Sequence, residues 1–170
     1  LPLSVKWPND ILIAGKKVAG ILTEMRLAGE RISQVVIGLG VNVNTPAEEM
    51  PPEIRPIATS LSAAAGRTFS RAALLRSLLE QLEQWYGLLQ TGHFEDIRGR
   101  WLELARIVGQ RVTIAGLECT YEGEVVDIDP TGFLILRSPD GTVRRILAGD
   151  VSMVETASLS PGPKGAGNFP

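Results

Sequence analysis

Lys6-Trp7-Pro8-Asn9-Asp10, then Ala19-Gly20-Ile21-Leu22-Thr23-Glu24, then Ile37-Gly38-Leu39-Gly40-Val41-Asn42-Val43-Asn44: these three runs decide how the first forty-odd residues fold. Ala14-Gly15-Lys16 and Ala28-Gly29-Glu30 separate the apolar segments, and turns that short join strands in antiparallel order. The expected strands are Leu3 to Trp7, Asp10 to Ile13, Lys17 to Met25 and Arg31 to Val43. Along the last of these, Val35, Ile37, Leu39, Val41 and Val43 share one face, while Gln34, Val36, Gly38, Gly40, Asn42 and Asn44 share the other. The apolar face is expected to meet a core. The other lacks side chains at two glycines, so a ligand can approach its backbone closely.

Lys6 leaves its strand on the side opposite Val5 and Trp7. An isolated lysine on an edge strand is usually a solvated charge. Here Pro8 withholds a ladder donor just beyond it, and Asn9 and Asp10 are suited to fixing the turn by local hydrogen bonds. A lysine held in this way suits a ligand bearing phosphate or carboxylate. Asn42 offers one acceptor and two donors, the pattern that matches an adenine edge. Asn44 lies on the same face but equally opens the following loop, and Gly20 and Ile21 suit either packing or a ligand wall.

Thr45 to Pro56 reads as loop, since Pro46, Pro51, Pro52 and Pro56 exclude helix interior and central strand. Thr59 or Ser60 caps a short helix ending near Gly66. Ser70 opens a longer one whose stripe, Leu75, Leu78, Leu79, Leu82, Trp85, Tyr86 and Leu89, is expected to cover one face of the sheet. A further helix carries Phe94, Ile97, Trp101, Leu104, Ala105 and Val108 until Gly109 stops it. The period then changes to strands, Arg111 to Ala115, Glu118 to Asp127, Phe133 to Ser138, Val143 to Leu147 and Asp150 to Glu155, which suggest a small barrel. Residues 157–170, rich in proline and glycine, carry too little apolar content to fold.

Composition narrows the function classes. The 170 residues are 44% hydrophobic and 21% charged with a net charge of -2, so no basic footprint for nucleic acid is present. No run approaches the roughly 18 apolar residues of a membrane span. A single cysteine, Cys119, forms no internal disulfide or cysteine metal site, which suits the cytoplasm, and it reads as a buried strand residue. His93 is a lone histidine at a helix start and supports neither a triad nor a metal site. Glu24 reads as a solvated or ion-paired strand residue, and the arginine pairs, Arg98 with Arg100 and Arg144 with Arg145, are too small for a nucleic-acid patch and read as solvated.

In the order and spacing of the three opening runs the chain closely resembles the C-terminal half of the biotin protein ligases, and the likeness extends to about Glu155. The resemblance implies an α+β fold with a mixed, largely antiparallel sheet and helices packed on one face, followed by a small SH3-like β-barrel. Residues 1–108 would be catalytic domain, 109–156 the barrel and 157–170 a disordered tail. It also implies a two-step reaction in which biotin and ATP give biotinyl-adenylate and a lysine of a biotin carboxyl carrier domain then takes the acyl group. Lys6 matches the family's catalytic and biotin-contacting lysine, supported by Trp7, Pro8, Asn9 and Asp10. Gly20, Ile21 and Leu22 would line the biotin side, and Gly40, Asn42 and Asn44 the nucleotide. Mg2+ would accompany ATP, although no carboxylate cluster is obliged to hold it.

A Gly/Arg-rich loop that folds over biotin in the family is expected upstream of the lysine strand and is not among these residues. They are therefore expected to be the C-terminal part of a longer protein, to hold half a site and to be inactive alone. Two alternatives stay open: a lipoate or octanoyl ligase or transferase on the same scaffold, and a noncatalytic interaction module. A homodimer through a sheet edge is a further expectation.

Overall fold

The computed structural model describes residues 1–116 and 119–153. Its first sheet comprises β1 (Leu3–Lys6), β2 (Asp10–Ile13), β3 (Lys16–Ala28) and β4 (Arg31–Val41), in sequential order. All three pairings are antiparallel. Ala14 and Gly15 form the two-residue β2–β3 turn, both at positive φ (48° and 78°), as that hairpin type requires. A bulge between Ile11 and Leu12 then shifts the register, so that Ile11 faces Ala19 while Leu12 faces Lys17.

Apart from β1, which packs toward the second sheet, the sheet is packed chiefly at its inner end among the described residues. Ile13, Val18 and Ala19 are buried with Ile11, Val41 and α1 (Leu61–Ala65), which Ser60 caps and Gly66 ends in the left-handed conformation. Val43 is buried too, but Val35, Ile37 and Leu39, expected in the core, are each more than 40% exposed. Alternation shows which residues share a face; it does not show what lies against that face. The same correction applies to α2 (Arg71–Gln90), capped by Ser70 as expected. Leu75, Leu79, Leu82 and Leu89 remain exposed, and the helix packs chiefly on α3 (Phe94–Ala105) rather than covering the sheet. It is α3 that meets β1. That helix ends at Ala105, before Gly109, because Arg106 adopts the left-handed conformation and Ile107 turns into the core.

The second sheet is β5 (Arg111–Ala115), β6 (Thr120–Ile128), β7 (Leu134–Arg137), β8 (Val143–Ile146) and β9 (Asp150–Met153). Its order is β8-β7-β6-β5-β9, antiparallel throughout. Among the described residues the ladder has two ends, β8 and β9, so hydrogen bonds do not close the small SH3-like unit into a ring. Val112, Ile114, Val125, Leu134 and Leu136 are wholly buried in it. Trp7 joins that cluster at 3% exposure, with Val5, Trp101, Leu102, Ala105 and Ile107, so the two sheets share one core. Cys119 is exposed rather than buried. The expected start of a strand at Glu118 and the expected tail lie outside the described residues.

Candidate active site

Register builds the site. Lys6 pairs with Asp10, Asp10 with Gly20, and Gly20 with Gly40, so the four form one row across the sheet. Paired residues share a face, and at about 4.8 Å per strand the row is roughly 14 Å long. Leu22 lies on this face by alternation, whereas the Ile21 side chain points the other way and offers the site only its backbone. Asn9 uses that backbone: its Nδ2 donates to the Ile21 carbonyl at 2.6 Å and its own carbonyl accepts from the Ile21 N–H at 2.9 Å. The turn after Lys6 is thereby tied to β3, across a Trp7–Pro8 bond that is cis.

Asp10, expected to fix this turn together with Asn9, instead meets Lys17. The bulge brings Lys17 to the row's face, where its Nζ lies 2.5 Å from Asp10 Oδ1. That oxygen is buried and, among the described residues, receives no well-directed hydrogen bond. Gly20 makes room for the pair, since a Cβ there would sit 3.1 Å from Lys17 Cε and Nζ and 3.3 Å from Asp10 Oδ1. Gly40 and Gly38 differ. A Cβ at Gly40 would meet nothing closer than the Gly20 carbonyl at 3.9 Å, and one at Gly38 nothing closer than the Leu22 carbonyl at 3.6 Å. The protein's own packing does not demand glycine at either position.

Beyond the row, Lys17, Gly20, Gly40, Asn42 and Ile57 line a cavity of about 390 Å³. Asn42 lines it with its Nδ2 donating to the Thr59 carbonyl at 3.1 Å; among the described residues its Oδ1 and second N–H make no further hydrogen bond. Asn44 is committed at both ends of its amide: Nδ2 donates to the Phe69 carbonyl at 2.8 Å and Oδ1 accepts from the Phe69 N–H at 2.9 Å. It fixes the loop before α2 and shapes the site through backbone. The Lys6 ammonium, at the far end of the row, donates to Asp150 Oδ1 of β9 at 2.7 Å.

Lys17 and Asp150 were not singled out by the sequence pattern. A bulge moved Lys17 to the row, and Lys16-Lys17 after a tight turn carries no sign of it. Asp150 follows Gly149 at the start of the last strand, which is the faint signal that the chain passes close to something there. Two of the arginines read as solvated, Arg98 and Arg145, are instead braces. Arg98 donates to both Asp127 oxygens at 2.6 Å and to the Ile128 carbonyl at 2.5 Å, linking α3 to the second sheet. Arg145 binds Asp129 and Thr131 and stacks on Phe133. Burial alone would raise the Asp129 carboxyl, but Thr131, Arg145 and the Phe133 and Thr131 N–H groups outweigh it and hold it well below the usual carboxylate range.

Comparison with known proteins supplies the family. Residues 1–42, which include the row, match the model of the biotin/lipoate A/B protein ligase family, and residues 107–154 match that of the biotin protein ligase C terminal domain. Both matches point to one class, the biotin/lipoate protein ligases. The bifunctional ligase/repressor BirA of Bacillus subtilis is 39% identical over 149 residues, which are 88% of this chain and 46% of that protein. The biotin--[acetyl-CoA-carboxylase] ligase of Paracoccus denitrificans is 35% identical over 82% of this chain and 58% of its own length. Among solved structures, the apo biotin protein ligase of Aquifex aeolicus superimposes with a TM-score of 0.77 at 28% identity, covering 91% of this chain and 66% of that one. The same ligase in complex with biotin and ATP gives 0.74 at 28% identity, covering 91% and 62%. The chain belongs to the biotin protein ligase family. It spans about half the length of the curated relatives it matches.

Proposed function

We propose that this chain supplies the lysine and nucleotide half of a site that ligates biotin to a lysine of a biotin carboxyl carrier domain. The observation that carries the proposal is the row Lys6, Asp10, Gly20, Gly40, with a cation at one end and the Asn42 cavity beside the other. Biotin would lie along Gly20, Leu22 and the Ile21 backbone with its carboxylate at Lys6. ATP would place adenine toward Asn42, the sugar and phosphates passing over Gly40, where no side chain obstructs them. Asn44 would support the nucleotide side by holding the loop.

In the first step a biotin carboxylate oxygen bonds to the α-phosphorus while the bond to the bridging β-oxygen breaks and pyrophosphate leaves. Lys6 would contact both reacting groups, orienting them and offsetting charge that builds on the phosphoryl oxygens. In the second step the carrier amine attacks the acyl carbon, loses a proton and releases AMP. Magnesium enters as part of MgATP. Among the described residues no group of three or more carboxylate, histidine or cysteine side chains is placed to cage a metal ion, and Asp10 is engaged by Lys17. The reaction fits the cytoplasm, as does the single cysteine; among the described residues no helix is long and apolar enough to cross a membrane. The outer edge of β4 is the surface proposed for a homodimer.

The test is transfer of biotin to a carrier domain with ATP and magnesium, read as a mass increase, for this chain alone and joined to the upstream segment of its full-length protein. Transfer by the longer form, lost by orders of magnitude in Lys6→Ala with melting unchanged, is the expected result. Transfer of lipoate or octanoate instead would reassign the substrate, and no transfer of any acyl group would favour an interaction module.

A further inference from the structure

The ion pair between Lys6 and Asp150 joins positions 144 residues apart, one in each sheet. We propose that Asp150 is a positioning residue for Lys6: through it the second sheet holds the ammonium at the end of β1 and yields it to the anionic ligand when the site fills. The proposal rests on the preceding reading, in which Lys6 contacts a carboxylate and a phosphate.

The backbone around Asp150 is arranged for this contact. Gly149 has φ 151°, and a Cβ there would lie 2.6 Å from Ile114 Cγ2 and 3.0 Å from the Ala115 carbonyl. The residue must be glycine for the chain to enter β9 flush against β5, where Asp150 pairs with Ala115. The next residue, Val151, is buried in the shared core, so strand alternation sends Asp150 outward, to the side where Lys6 waits. On the other strand the residue after Lys6 is Trp7, buried in the same core. Both partners therefore spring from backbone fixed by one core, and what remains free is the lysine stem and the carboxylate.

Exposure fits an exchangeable contact. The Lys6 side chain is 29% exposed and that of Asp150 73%, so the pair sits in screened surroundings and contributes little to stability. Its effect is on conformation. A lysine side chain without a partner samples many rotamers, whereas one held at 2.7 Å is restricted to those that reach Asp150. The carboxylate also repels an arriving biotin carboxylate or phosphate. Removing it should loosen the lysine and at the same time ease entry of the anion, two effects that separate in kinetics.

The experiment is biotin-dependent exchange of pyrophosphate into ATP by the full-length protein. Asp150→Asn is expected to lower kcat about tenfold with KM for ATP unchanged or lower, the signature of lost positioning rather than lost binding. Asp150→Glu, which restores the charge on a stem one carbon longer, should recover kcat to within about threefold of wild type. In a Lys6→Ala background Asp150→Asn should cost nothing further, since residues acting as a unit are not additive. Thermal melting of Asp150→Asn should match wild type. If Asp150→Asn keeps kcat within about twofold while Lys6→Ala still abolishes exchange, or if the two losses simply multiply, the positioning role is overturned and the ligase reading stands. If Lys6→Ala leaves exchange intact, the assignment of Lys6 fails and Asp150 falls with it.

Discussion

Trp7→Ala should destabilise the second sheet, although the residue sits in the turn that follows β1 of the first. The side chain is 3% exposed and packs in the cluster that contains Val112, Val125, Leu136 and Val151. Truncating a buried tryptophan removes the transfer free energy of the ring and leaves a cavity, together costing about 3–5 kcal/mol. The indole contact with the Gly132 carbonyl is long, at 3.4 Å, so it adds little to this sum. For a domain of this size each kcal/mol lowers the melting temperature by about 2–4 °C, which gives a fall of roughly 6–20 °C. Trp7→Phe keeps most of the buried area and should lose less than half as much. Calorimetry measures the first quantity, and hydrogen exchange at the amides of β5 to β7 locates the damage. A melting point within about 3 °C of wild type, or lost protection confined to residues 1–41, would refute the shared core.

Two further outcomes follow from the site and its braces. Gly40→Val should leave the melting temperature nearly unchanged, because the site's own atoms stand back from that Cβ, yet weaken ATP binding at least tenfold by calorimetric titration; equal affinity would remove nucleotide from this part of the row. Asp129, held below its ordinary value of 3.8, contributes stability that is present above that value and lost as pH falls through its lower folded one. Asp129→Asn should therefore be less stable than wild type at pH 7, and the two melting curves should converge in acid; parallel curves down to pH 3 would contradict the brace.

Much of the fold can be read from residues that act locally. Ser60 and Ser70 cap helices, and Gly15 turns a hairpin; each does so through its own backbone and nearest neighbours, which is why one sequence suffices to find them. The failures concern what meets what. Leu79 and Ile37 are patterned for burial, but pattern is blind to whether a covering element stands opposite. Arg98 and Arg145 look solvated because their partners, Asp127 and Asp129, are distant or across a turn. In the site, Lys6, Gly20, Gly40 and Asn42 could be named because strand register places them together. Lys17 needed a bulge and Asp150 a second sheet, and Asn44 looked available only while its partner Phe69 was unseen.

The adjacency of Lys6 and Trp7 has a consequence for anyone who recombines these proteins. Strand geometry sends the two side chains to opposite sides, so the cation at the end of the Lys6–Gly40 row is seated by an anchor sunk one residue away in the neighbouring unit. To graft in the C-terminal sheet of a relative is also to choose a new socket for that tryptophan. A chimera whose socket is too shallow could fold, pass every stability screen and still carry its lysine at the wrong height.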